Sequence, residues 1–196
     1  ECSTWANGVH CRYSYFDSEQ APDLAFAKIA IGEDHGCGLD AAGTITCWGA
    51  GQEPLEAGET DCSFNDCGQA SPPSTTFLAL TAEAEYTCGL DPAGAMVCWG
   101  LGGTALPGTF VDLDSSETAV CGLTTTGEIT CSSATSLTGA TYSQLAVSST
   151  QVCGVRAGGI DCVGLEGKSG EFARVAAGVD FACGLLVDGT PYCWGE

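Results

Sequence analysis

Cysteine carries most of the reactive chemistry available to this chain, with 14 residues. Twelve of them stand in six pairs, each with eight or nine residues between partners: Cys2/Cys11, Cys37/Cys47, Cys88/Cys98, Cys121/Cys131, Cys153/Cys162 and Cys183/Cys193. Such pairs either bind zinc or close disulfides. Zinc-ligand pairs sit about two to four residues apart with a second pair close by, which this spacing does not offer. A disulfide is therefore expected within each pair, and Cys62 with Cys67 supplies a seventh, leaving no odd thiol. Closing a loop of this size removes roughly 2.5–3 kcal/mol of unfolded-chain entropy. Bridges in this number belong to an oxidising compartment, so the expected location is secreted, extracellular or at the cell surface.

Other reactive side chains are few. There are two histidines, His10 and His35. His35 occupies the position ahead of a first cysteine that Tyr86 and Phe181 fill in other copies, so it is expected to pack rather than react. His10 has no equivalent partner. The nucleophile-elbow, metalloprotease, phosphate-loop and haem-attachment motifs are all missing, so no catalytic residue and no enzyme activity is expected. An acidic insertion at about residues 50–70 holds Glu53, Glu56, Glu59, Asp61 and Asp66 around the tight Cys62–Cys67 loop. Asp61, Asn65 and Asp66 offer the oxygen ligands calcium prefers, without the twelve-residue calcium-loop motif. The competing readings are a solvated loop stapled against proteolysis and a protein contact. Calcium is the one cofactor candidate.

Opposing the cysteines requires hairpins. Folding Cys37–Cys47 about Ala42 sets Cys37 against Cys47 and Leu39 against Ile45, with residues 41–43 as the loop and Gly43 left-handed. The same offset picks out Gly94, Gly127 and Gly189, and the shorter Cys153–Cys162 copy turns on Ala157-Gly158. The first hairpin conflicts: an Asn7-Gly8 turn would pair Ala6 with Val9 and set Cys2 and Cys11 out of register. Eleven residues ahead of the first cysteine of hairpins two to six stand Phe26, Phe77, Phe110, Tyr142 and Phe172; eight ahead stand Ile29, Leu80, Leu113, Leu145 and Val175. A lead-in strand therefore precedes each of these hairpins.

Successive first cysteines lie 35, 51, 33, 32 and 30 residues apart, and small sheets at such a period indicate a propeller or solenoid. The expected fold is all-β, a β-propeller of about six short three-stranded blades, each with a disulfide inside its hairpin. Glycine follows every first cysteine except Cys2, on the face opposite the bridge. Glycine weakens a strand unless another backbone comes close, so neighbouring blades are expected to stack on that face. Trp48, Trp99 and Trp194 each follow a second cysteine and are expected between blades rather than against a ligand.

The stretches Ile-Gly-Glu-Asp-His-Gly-Cys-Gly-Leu-Asp-Ala-Ala-Gly-Thr-Ile-Thr-Cys-Trp-Gly (31–49), 88–100 and 183–195 resemble the repeat of the regulator-of-chromosome-condensation superfamily. The resemblance is nearest to its short-blade secreted bacterial branch, which includes β-lactamase-inhibitory proteins and cysteine-bearing propeller repeats. Residues 68–77 resemble the inter-blade linker of the cysteine-bearing members, and residues 18–26 echo it. The fourth and fifth hairpins depart from the pattern, reading Cys131-Ser132-Ser133 and Cys162-Val163-Gly164 where the second, third and sixth read Cys-Trp-Gly. The resemblance implies the propeller fold. It leaves function open among exchange factors, inhibitors and binding scaffolds.

With 5 basic and 25 acidic residues the net charge is −20, which repels nucleic acid and anionic membranes. No apolar run reaches membrane-span length, and Glu1-Cys2 opens the chain without a signal-peptide pattern, as a mature form would. The expected molecule is a single domain over 1–196, a secreted, non-enzymatic structural or protein-interaction propeller. A self-assembling filament or surface-layer subunit is one form of this, because the first hairpin shows no lead-in strand and an open blade edge invites another strand. A propeller-face binder or enzyme inhibitor is the alternative, and a carbohydrate-binding module the third.

Overall fold

The computed structural model describes residues 2–5, 8–11, 22, 24–52, 67–133 and 136–196, with side chains from residue 22 onward. Two compact units cover residues 1–105 and 106–196. In the first, β1 (Cys2–Trp5) pairs with β2 (Gly8–Cys11); β3 (Lys28–Ile31), β4 (His35–Leu39) and β5 (Ile45–Gly49) form the second blade; β6 (Ala79–Ala82), β7 (Tyr86–Leu90) and β8 (Met96–Gly100) form the third. In the second unit, β9 (Phe110–Ser116), β10 (Ala119–Thr124) and β11 (Ile129–Cys131) form the fourth blade. The fifth is β12 (Tyr142–Val147), β13 (Val152–Arg156) and β14 (Gly159–Val163), with β15 (Lys168–Ser169) added at its edge; β16 (Phe172–Ala177), β17 (Phe181–Leu186) and β18 (Pro191–Gly195) form the sixth. Every pairing is antiparallel, and no helix occurs among the described residues.

The turns follow from a few residues. Gly43, Gly94, Gly127 and Gly189 all have φ between 80° and 87°, the left-handed conformation that a side chain disfavours. Asp40 closes its turn by accepting the Ala42 and Thr44 N–H groups at 2.8 Å on one carboxylate oxygen, and Asp91 does the same for Ala93 and Ala95 at 2.9 Å. These turns hold Cys37 opposite Cys47 and each later first cysteine opposite its second. The bridges Cys37–Cys47, Cys88–Cys98, Cys121–Cys131, Cys153–Cys162 and Cys183–Cys193 span Cα separations of 4.0–4.1 Å. So close an approach marks the non-hydrogen-bonded kind of cross-strand pair. Cys67 is disulfide-bonded as well, while Cys62 lies outside the described residues.

Two expectations need correction. In the first hairpin Trp5 pairs with Gly8 and Cys2 stands opposite Cys11. This is the register that an Asn7-Gly8 turn would have broken. The second correction concerns the glycines after the first cysteines. A Cβ on Gly38 would fall 2.4 Å from the Phe26 ring, and one on Gly89, Gly122, Gly154 or Gly184 would fall 2.3–2.5 Å from Phe77, Phe110, Tyr142 or Phe172. What occupies the space is the aromatic of the blade's own lead-in strand, not a foreign backbone. Neighbouring blades do stack there, but through the ring: Ile129 and Ile160 of the preceding blades also reach Gly154 and Gly184.

Candidate interaction surface

Alternation gives each blade two unlike faces. The bridge-bearing face carries the disulfide and the aliphatics two residues inside it; the glycine-bearing face carries the lead-in aromatic and aliphatic and, in blades two, three and six, the tryptophan. Within each unit the stacking joins unlike faces. Cys37, Leu39 and Ile45 pack on Phe77, Leu80 and Trp99. Cys121, Leu123 and Ile129 pack on Tyr142, Leu145 and Val152, and Cys153, Val155 and Ile160 on Phe172, Val175 and Ala182. The lead-in aromatic also ties its backbone to the preceding turn, since Phe77 N–H donates to the Gly43 carbonyl at 2.7 Å and Tyr142 N–H to the Gly127 carbonyl at 2.8 Å.

Polar side chains stitch these joints. The Thr87 hydroxyl donates to the Gln69 carbonyl at 2.9 Å, so His35 Nε2 is the donor in its 2.7 Å bond to Thr87 Oγ1. His35 is fully buried with Nδ1 unpartnered, and burial lowers its pKa to about 4. It packs, as expected. Trp99 Nε1 donates to the same Gln69 carbonyl at 2.9 Å, and Trp194 Nε1 to the Glu166 carbonyl at 2.8 Å, so two tryptophans pin the linker entering their blade. In the second unit Asp114 accepts the Val147 N–H at 2.8 Å, and Gln144 both accepts from and donates to the Val175 backbone, at 2.7 and 3.1 Å. Gln151, in the position of His35, donates to the Gly178 and Phe181 carbonyls at 2.5 and 2.7 Å. Arg156 Nε holds Asp161 at 2.7 Å and keeps its carboxyl below the usual range; Tyr142 donates to the same carboxylate at 3.2 Å.

The sixth blade differs from this pattern. Cys37, Cys88, Cys121 and Cys153 are fully buried, and Leu39, Leu90, Leu123 and Val155 nearly so. On the sixth blade Cys183 and Leu185 are half-buried, and Pro191 and Cys193 are exposed. Phe181, in the position of His35, is 47% exposed, and Val179 and Val187 are more open still. A Cβ on Gly189 would meet nothing within 4 Å, whereas one on Gly43 would meet the Phe77 backbone at 2.8 Å. This bridge-bearing face is an apolar surface rimmed by acidic Asp180 and Asp188.

Asp61, Asn65 and Asp66 lie outside the described residues, as does the side chain of His10, whose backbone pairs with Ser3. Among the described residues no group of three His, Cys, Asp or Glu side chains is arranged to hold a metal, and no helix is long and apolar enough to cross a membrane. The stitching residues Asp114, Gln144 and Gln151 were not singled out by sequence; only the register of the strands gives them their roles.

Residues 26–53 match the regulator of chromosome condensation (RCC1) repeat. No curated protein sequence matches the chain. Among solved structures, the CRINKLY ectodomain of the Arabidopsis thaliana receptor kinase ACR4 superposes with a TM-score of 0.76 at 23% identity, covering 97% of this chain and 74% of that one. The ectodomain of the Physcomitrella patens receptor kinase CR4 superposes at 0.71 with 23% identity, over 96% of this chain and 56% of that one. Prp20p of Saccharomyces cerevisiae, described with its binding to Gsp1p and histones, gives 0.65 at 13% identity, over 87% and 58%. The chain thus spans a little over half of two of these relatives. Together the repeat match and the superpositions establish a repeat propeller like that of the regulator of chromosome condensation, and at these identities they establish the fold alone.

Proposed function

We propose that this chain is an extracellular, non-enzymatic protein-interaction propeller that engages a protein partner through the bridge-bearing face of its sixth blade. The observation that carries the reading is the uncovering, on that blade alone among blades two to six, of a face whose counterparts are buried. An apolar face of this kind favours a protein partner. The disulfides support an oxidising location, and two of the structural relatives are receptor ectodomains. A net charge of −20 favours neither nucleic acid nor an anionic membrane. The reading takes residues 1–196 as one domain. Tyr192 and Trp194, stacked at 6.1 Å, favour carbohydrate binding as a second reading.

A photo-reactive phenylalanine analogue in place of Phe181, applied to the chain in its native extracellular milieu, tests the proposal. The expected result is a covalent adduct with a protein, of this chain or another, that the same analogue at exposed Val111 does not give. No adduct at 181, or equal capture at both positions, overturns it, and glycan-array binding lost on Tyr192→Ala would move the reading to carbohydrate.

A further inference from the structure

One joint inside the first unit is held by a histidine. His35 of β4 reaches from blade two to blade three, where Nε2 donates to Thr87, Thr87 donates to the Gln69 carbonyl, and Trp99 Nε1 donates to that same carbonyl. With the proton on Nε2, Nδ1 is the lone-pair nitrogen of a neutral ring, and it has no partner. A second proton would have to sit there. The ring is fully buried, and a Cβ on Gly32 would fall 2.6 Å from Nδ1 and 2.3 Å from the Glu83 carbonyl oxygen, so no water fits beside it at that point. The titratable groups on the turns packed around the ring are Glu33 and Asp34 of its own turn and Glu83, Glu85 and Tyr86 of the next, and none of their side chains bonds it. A charged imidazole therefore has no place in the closed joint. Between blades five and six the position of His35 holds Gln151, whose amide donates to the Gly178 and Phe181 carbonyls, while Gln144 pairs with the Val175 backbone. None of those groups titrates.

We propose that the joint between blades two and three is an acid-released latch: protonation of His35 parts these two blades locally, while the joint between blades five and six stays closed. Parting lets water reach the imidazolium, and the bonds that tie Thr87 and Trp99 to the Gln69 carbonyl open with it. The parted joint takes its proton near the ordinary 6.5, whereas burial in the closed joint lowers that value to about 4. Between these limits each unit of falling pH favours the parted joint by up to about tenfold, so its share should rise about 20-fold from pH 7 to pH 5. Ordinary carboxylates, titrating near about 4, still hold their charge at pH 5. The effect is therefore that of the histidine.

Hydrogen exchange of the intact, disulfide-bonded chain, read peptide by peptide at pH 7, 6 and 5 and corrected for the intrinsic pH dependence of amide exchange, tests this. Protection of β4 and β7 is expected to fall about 20-fold from pH 7 to pH 5, while that of β13 and β16 changes by less than about twofold. His35→Gln installs the residue that blade five uses, and in it β4 and β7 should lose their pH dependence and behave as β16 does. Protection of β4 and β7 that is unchanged or higher at pH 5 overturns the proposal. So does a fall shared equally by β13 and β16, or one that persists in His35→Gln. Should that variant fail to fold, the contrast between the two joints in wild type decides alone.

Discussion

At the scale of residues, His35 is the most exacting position. Its ring sits fully buried between blades two and three with one nitrogen bound to Thr87 and the other bare, a site for neutral imidazole only. The folded pKa of about 4 lies below the unfolded value of 6.5, so between these limits the unfolded chain binds the extra proton. Stability is therefore full above pH 6.5 and falls as pH drops toward 4, by about 3 kcal/mol at most from this residue. Carboxylates titrate over part of the same range, so the difference between wild type and His35→Gln isolates the histidine. Melting temperatures from pH 7.5 to 4 should fall more steeply for wild type than for His35→Gln, whose side chain serves this position in blade five as Gln151. Parallel curves would contradict the assignment.

Blades are built on one ring and one glycine, and this predicts which small substitutions do harm. Alanine at Gly122 brings a methyl within 2.3 Å of the Phe110 ring, an overpacking that should cost about 1–3 kcal/mol in denaturant unfolding. Reducing the ring in Gly122→Ala/Phe110→Leu should recover part of that loss; a double variant less stable than both singles would contradict the pairing. Replacing Cys121 and Cys131 together by alanine should cost roughly 2.5–3 kcal/mol through the unfolded chain, with the other bridges kept. Much of this element was readable from spacing: the opposed cysteines, the left-handed glycines and the lead-in aromatics fall where their offsets place them. The tenant of the glycine face was not, because an offset of eleven residues records that a ring precedes a cysteine without saying that the strand folds back to lay it there. The first hairpin's register was misjudged for a related reason: Asn-Gly is a strong local turn signal, and the pairing of Cys2 with Cys11 overrides it.

Across the whole molecule, repetition was legible and the burial of each blade was not. Cys183 and Cys37 stand at the same position of the repeat, yet Cys37 is fully buried and Cys183 half-buried. The charge of −20 adds a prediction at this scale: thermal stability should rise with sodium chloride as self-repulsion is screened, and a single domain should melt in one calorimetric transition. Millimolar calcium should stabilise beyond matched ionic strength if Asp61, Asn65 and Asp66 form a site, and identical curves would remove calcium. Blades two to six are each closed by a bridge within their own hairpin, leaving faces rather than bridges to join one blade to the next. Peptide mapping of the unreduced protein checks this. It should recover Cys37–Cys47, Cys88–Cys98, Cys121–Cys131, Cys153–Cys162 and Cys183–Cys193, with Cys2–Cys11 and Cys62–Cys67 completing the set. A single bridge joining two different hairpins would contradict it.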